Sequence, residues 1–357
     1  MTTPKLRWGI LSTAHIGRKN WQAIFDSGNG VVTAVTSRKL ASAERFIKEC
    51  QLTAPFAAKP RALGSYEELI AAPDIDALYI PLPTTVRQEW VIRAAAAGKH
   101  IVCEKPCAVT SAGLREMLDA CRRHRVQFMD GVMFRHGERL GRMRAVLDDG
   151  MSVGPLQRIS TAFSFRGPAD FLATNIRAQA GLEPLGCLGD LGWYCIQLSL
   201  WACGWQLPRT VTGRMLSAHT ADGGPLVPTE FSGELIFADG LTADFSCSFL
   251  AELQQWAKLT GPRGSLHLDD FVLPPDDADT AFEIRPAAGA SVRRITVAER
   301  GRDLPPTQQA KLFHHFAAQV QSGALDESWP HIALQTQRVL DACLASSRHG
   351  SQPCVVE

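Results

Sequence analysis

The 357-residue chain carries 45% apolar and 20% charged residues and a formal net charge of +1, which suits a globular protein of two domains with sizeable cores. Near-neutral charge without basic runs gives no case for a nucleic-acid surface, and the longest apolar stretch, residues 191–205, is interrupted by Gln197, Ser199 and Gly204, so no membrane span is expected. Ten scattered cysteines lack zinc-site spacing; they read as free thiols in a reducing cytoplasm, with no metal centre expected. A first strand is expected within a few residues of Met1, and no signal peptide is expected.

In chain order, a first strand at 8–11 runs into Ser12-Thr13-Ala14-His15-Ile16-Gly17 and a helix over 16–27. The dinucleotide fingerprint asks for glycine at the positions held by Ser12, Ala14 and Gly17. Only the last matches, but serine and alanine are small enough for backbone amides to approach a diphosphate at the helix start. A second strand at 31–36 ends in Ser37-Arg38, where an NAD enzyme would place an acid on the ribose. A hydroxyl and a guanidinium without a carboxylate suit a 2′-phosphate, so NADP is expected over NAD.

Helices over 41–51 and 66–71 precede a strand at 77–81, which leads through Leu82-Pro83-Thr84 into a helix over 86–97. The strand at 100–103 then ends abruptly in Glu104-Lys105-Pro106. Charged groups at the carboxyl end of a buried strand stand where open α/β sheets bind ligands, and proline fixes the backbone that carries the lysine. A helix over 112–124 and a strand at 127–130 complete a doubly wound parallel sheet, a Rossmann domain expected over residues 1–130.

The pattern then changes. A helix over 139–148 leads into alternating segments at 156–165, 210–216, 231–237, 242–250, 255–260 and 264–268, with short strands at 282–285 and 292–297. Helices over 306–322 and 332–347 close the chain. Residues 131–357 are therefore expected to form an α+β domain on a large, mostly antiparallel open sheet, its terminal helices free to pack back on the first domain. Its dense cluster is Asn175-Ile-Arg177 followed by Gly186-Cys-Leu-Gly189-Asp190-Leu-Gly192-Trp193-Tyr194. This reads as a glycine-rich loop entering a helix, with Asp190 and Tyr194 four residues apart on one face.

The worn glycine loop, Ser37-Arg38, Glu104-Lys105-Pro106 and Gly189-Asp190-x-Gly192-x-Tyr194, in this order, resemble the Gfo/Idh/MocA oxidoreductases over nearly the whole chain, most closely the branch of dimeric dihydrodiol and NADP-dependent xylose dehydrogenases. The resemblance implies NADP held by Ser12, Thr13, Ala14, His15, Ile16, Ser37, Arg38, Leu82, Pro83, Thr84, Glu104 and Lys105, and allows a cis Lys105–Pro106 bond. It implies catalytic roles for Lys105 at the substrate oxygen, Asp190 in orienting substrate and Tyr194 as acid/base, and a homodimer or higher oligomer through the open sheet. A sugar, polyol or cyclic diol is the implied substrate.

The chemistry agrees with those roles. Oxidising CH–OH needs a proton removed as hydride leaves, and a phenol with an ordinary pKa of about 10 becomes a base only if a cation such as Lys105 favours the phenolate. Where the family usually reads Asn-x-x-His after Pro83, this chain has Thr84-Thr85-Val86-Arg87; Arg87 is read as an anion-binding residue or a helix-surface charge. Arg135, His136 and Arg177 are further substrate candidates. Two other functions use the same fold, an NAD-dependent glycosidase and a non-catalytic nucleotide sensor. Ser37-Arg38 argues against the first, and the retained Lys105, Asp190 and Tyr194 against the second.

Overall fold

The computed structural model describes residues 4–220, 223–275, 278–287, 291–299 and 305–356. The chain folds into two units, each assembled from three stretches: Met1–Ala108, Ala112–Gly137 and Arg300–Ala333 in the first; Val109–Ser111, Glu138–Glu299 and Leu334–Glu357 in the second. Residues 131–137 and the stretch Arg300–Ala333 thus group with the first unit.

The first unit begins β1 (Leu6–Leu11), α1 (His15–Asp26), β2 (Gly30–Thr36), α2 (Leu40–Thr53), β3 (Arg61–Leu63), α3 (Tyr66–Ala71) and β4 (Ala77–Ile80). It continues α4 (Thr84–Ala96), β5 (His100–Cys103), α5 (Ser111–Arg123) and β6 (Phe128–Asp130). Among the described residues these strands form one six-stranded parallel sheet in the order β3-β2-β1-β4-β5-β6. Strand order reverses between β1 and β4, so the loops leaving those two strands part at their carboxyl ends and open a crevice suited to a ligand.

Burial explains why these elements were legible. All four residues of β4 are buried, the continuous apolar run of a strand covered on both faces. On α5, Leu114, Met117, Leu118 and Cys121 recur at helical spacing and are buried. The short edge strand β3 was missed, because its one exposed and two half-buried residues carry no such run.

The second unit holds α6 (Glu138–Asp148), β7 (Arg158–Ser164), α7 (Phe171–Thr174), α8 (Trp193–Ala202), β8 (Thr210–His219), β9 (Val227–Ile236) and β10 (Thr242–Ser248). Then come β11 (Gln254–Gly261), β12 (Gly264–Leu268), β13 (Thr280–Pro286) and β14 (Arg293–Val297). Next α9 (Gln308–Gln321) returns to the first unit, where Phe313 and Phe316 pack on Trp8 with ring centroids 5.1 and 5.3 Å away. Finally α10 (Ser328–Arg348) passes from the first unit into the second, and the two-residue β15 (Cys354–Val355) pairs with β8.

The second sheet has nine strands among the described residues, in the order β14-β13-β12-β11-β7-β10-β9-β8-β15. Every neighbouring pair is antiparallel except β7 and β10. One face carries α8, all ten residues of which are buried. Among the described residues no helix is long and apolar enough to cross a membrane.

Candidate active-site halves

In the first unit the expected cofactor residues lie at the carboxyl ends of β1, β2, β4 and β5. After β1, Ser12 holds φ at +135°, a region that favours glycine, at the position where the fingerprint asks for one. Its hydroxyl stabilises the turn instead: Oγ accepts from the Ala14 amide at 3.2 Å and donates to the Pro81 carbonyl at 3.4 Å. α1 then starts with no side-chain cap and no acid in its first turn. Twelve residues of helix thus present their amino end uncapped, which fits a diphosphate contacted by residues 12–16.

At the end of β2 the buried Thr36 donates to the carbonyls of Leu63 and Ser65 at 3.2 and 2.9 Å. That ties down the strand end and leaves Arg38 exposed just beyond it. Tyr66 is a neighbour that sequence reasoning missed. Burial pushes its phenol up, and the charge of Arg38 opposes that rise.

The lysine-bearing turn is held from several directions. The Lys105–Pro106 bond is cis. The Tyr79 hydroxyl donates to Glu104 Oε1 at 2.6 Å, and Asn20 Nδ2 donates both to the Tyr79 oxygen and, at 3.4 Å, to the same carboxylate oxygen. Burial and the adjacent Glu104 charge raise the Tyr79 phenol well above its ordinary value, so it stays a donor. Sequence reasoning missed both Tyr79 and Asn20. The available signal was a phenol inside the apolar run Ala77-Leu-Tyr-Ile80, since a buried hydroxyl must find a partner.

Arg87 corrects both of its expected roles. It is only 3% exposed, so it is no surface charge, and its guanidinium is occupied by main-chain oxygens rather than open to an anion. Nε donates to the Leu82 carbonyl at 3.0 Å and Nη1 to the Glu104 carbonyl at 2.8 Å, with shorter bonds to Pro106 O and again Leu82 O.

Arg135 and His136, the substrate candidates after β6, both make contacts inside the first unit. Arg135 pairs with Asp130 at 2.5 Å, the two side chains being 7% and 0% exposed. His136 Nδ1 lies 3.0 Å from His315 Nδ1, and burial, reinforced by the Arg135 and His315 charges, holds it well below the usual histidine range.

In the second unit the glycine-rich stretch is not a loop. Leu188–Gly192 forms one π-helical turn that runs directly into α8, the kind of irregular turn that recurs at functional sites. A Cβ on Gly192 would sit 3.0 Å from Leu188 and 3.4 Å from the Cys247 sulfur, so glycine lets this turn lie close on β10. Arg177 Nε reaches Asp190 Oδ2 at 2.9 Å. Asn175 supports that arm, its Oδ1 accepting from the Arg177 amide at 3.0 Å. Tyr194 is 6% exposed and packs edge-on against Phe163, ring centroids 5.6 Å apart. Thus the structure gathers Ser12 with Pro81, and Leu82 with Glu104, in one unit, and Arg177 with Asp190 in the other.

Comparison with known proteins matches both units. A model of an oxidoreductase family with an NAD-binding Rossmann fold covers residues 6–132, and the GFO/IDH/MocA C-terminal domain model covers residues 141–267. The chain is 28% identical over 351 residues to a D-xylose 1-dehydrogenase (NADP(+)) of Haloferax volcanii, spanning 97% of this chain and 98% of that protein. It is 30% identical over 293 residues to the trans-1,2-dihydrobenzene-1,2-diol dehydrogenase of Bos taurus, spanning 80% and 82%. An aldose-aldose oxidoreductase from Caulobacter crescentus, crystallised with glycerol, superimposes with a TM-score of 0.83 at 20% identity over 98% of this chain and 99% of its own.

Proposed function

This chain belongs to the GFO/IDH/MocA oxidoreductases, and on that footing we propose that it moves a hydride between NADP and the CH–OH/C=O group of a sugar, polyol or cyclic diol, with Tyr194 as acid/base assisted by Lys105. One observation carries this reading. The carboxyl edge of the parallel sheet presents an uncapped helix start after β1, the exposed Arg38 after β2 and a lysine-bearing turn after β5. The acid-free start of α1 fits the diphosphate, and Ser37-Arg38 fits the 2′-phosphate, because a guanidinium pairs with phosphate through parallel N–H bonds. Leu82, Pro83, Thr84 and Glu104 complete the proposed cofactor set. NADP, when bound, supplies the hydride acceptor or donor.

The remaining work falls to side chains of this protein. Tyr194 takes the hydroxyl proton of the substrate through its phenolate oxygen and returns it in the reverse direction. The Lys105 ammonium favours that phenolate and binds the substrate oxygen. Asp190 accepts hydrogen bonds from substrate hydroxyls, its own direction set by Arg177. The substrate class rests on the xylose and dihydrodiol dehydrogenases to which the chain is similar.

NADPH absorbance during incubation with D-xylose, trans-1,2-dihydrobenzene-1,2-diol and related polyols tests the reaction. Tyr194→Phe and Lys105→Ala are each expected to lower turnover by roughly 100-fold or more, with NADPH binding by fluorescence within a few-fold of the parent. Full turnover in Tyr194→Phe removes that residue as acid/base.

We assign subunit contact to the sheet face opposite α8. Thr212, Arg214, Glu234, Asp244, Ser246 and Trp256 line an open hollow of about 460 Å³ there. Phe163, Phe245 and Cys247, at alternate positions, point to the other side, as the pleat requires. Sedimentation of the parent as a monomer at micromolar concentration would overturn this assignment.

A further inference from the structure

The geometry points to Arg87 as a positioning residue for Lys105, acting with Tyr79 on the turn between them. This rests on the reading above that Lys105 meets the reacting oxygen. Arg87 projects from the first turn of α4, yet its guanidinium reaches two other segments. It binds the Leu82 carbonyl, ahead of its own helix, and the Glu104 and Pro106 carbonyls, on either side of Lys105. A planar fork with five donors can satisfy three carbonyls from two loops at once, whereas a lysine ammonium cannot present that fixed spread. The residue is 3% exposed, so these bonds form away from competing water.

Glu104 is the point where the hold becomes two-sided. Its carbonyl accepts from Arg87 on α4, while its carboxylate accepts from Tyr79 on β4 and Asn20 on α1. The same carboxylate receives the Lys105 amide at 3.3 Å. Main chain and side chain of the preceding residue are therefore both fixed, and Pro106 after it is fixed through its carbonyl. Lys105 sits between two anchored neighbours, and the direction in which its side chain leaves is set by Arg87 and Tyr79. Arg87 touches neither substrate nor cofactor in this account; its effect passes through Lys105.

A double-mutant cycle reads that path. With the panel compound that the parent oxidises fastest, Arg87→Met, Arg87→Lys and Tyr79→Phe are each expected to lower kcat, Arg87→Met by about 10- to 100-fold, the scale of a displaced catalytic group. In a Lys105→Met background the same substitutions are expected to add less than about threefold, because the residue they position is gone. Arg87→Met should also move the pH profile of kcat in the direction that Lys105→Met moves it. Hydrogen exchange followed by mass spectrometry gives a reading that needs no substrate. Exchange should rise in peptides covering residues 81–83 and 103–107 while the rest of the first unit stays protected.

Fully additive losses, or unchanged exchange over 103–107, overturn the positioning role. If Arg87→Met does not fold, Arg87→Lys and Tyr79→Phe carry the same cycle, and additivity in both has the same force. Unaltered turnover in Lys105→Met is a different failure, since it removes the catalytic reading itself.

Discussion

Arg177 Nε lies 2.9 Å from Asp190 Oδ2, with the guanidinium 45% and the carboxylate 15% exposed. A pair this open to water adds little to stability, about 0–1 kcal/mol. Its value is directional, since Asp190 stands on the π-helical turn one helical step before Tyr194. Arg177→Met is expected to leave the melting temperature nearly unchanged and to lower kcat/KM roughly tenfold, the scale of one weakened charged hydrogen bond. Arg177→Lys should recover part of the loss. Parent-like kcat/KM in Arg177→Met would show that Asp190 needs no such partner.

Cofactor preference is expected to turn on Arg38. On the reading proposed above, its removal deletes a charge-assisted contact to the 2′-phosphate and nothing that NAD also uses. Arg38→Ala should lower kcat/KM with NADP by roughly 10- to 100-fold, and with NAD by much less. Equal losses with both cofactors would place Arg38 outside the phosphate site.

His136 makes stability depend on pH. Burial and its cationic neighbours hold its folded-state pKa well below the ordinary histidine value, so the unfolded chain binds this proton first as pH falls. The native state is therefore fully favoured by this group above about pH 6.5 and loses ground below it, by up to about 1.4 kcal/mol per pH unit. Denaturant unfolding at pH 7.5 and 5.5 should show a smaller decline in His136→Phe than in the parent. An identical decline would mean that His136 takes its proton without unfolding.

Two glycines separate a backbone preference from a collision. Gly186 has φ of +49°, and a Cβ there would lie 2.1 Å from the Pro228 carbonyl oxygen; Gly98 has φ of +74° with nothing within 4 Å. Gly98→Ala should cost about 1–2 kcal/mol, the penalty of a left-handed residue. Gly186→Ala should cost clearly more, because backbone must move as well. Thermal melts of the two variants give the comparison, and equal shifts would refute it.

Much of the fold was written in burial periodicity. Central parallel strands and amphipathic helices announce themselves because both faces, or one stripe, must be apolar. What stayed hidden was short or irregular. β3 and β15 sit at sheet edges with three and two residues, and the π turn at Leu188–Gly192 obeys neither the helical nor the strand period. Candidate site residues stand out in sequence where charge stands against an apolar strand, as at Lys105 and Arg38. Their surroundings are unreadable where partners come from distant chain. Nothing near Arg87 in sequence says that its guanidinium closes on carbonyls at 104 and 106, and Tyr79 and Asn20 are 59 residues apart.

The return of α9 also dictates an order of events during synthesis. Trp8 lies in the first strand made, yet the rings that cover it, Phe313 and Phe316, are translated only after every strand from β7 to β14. At ribosomal speeds of about 5–20 residues per second, that indole waits about 15–60 seconds for its lid. The nascent nucleotide-binding half is expected to present a bare apolar face to chaperones throughout that interval. A fragment ending at Gly137 should accordingly bind a hydrophobic dye and show a quenchable Trp8, whereas full-length protein should do neither at that site.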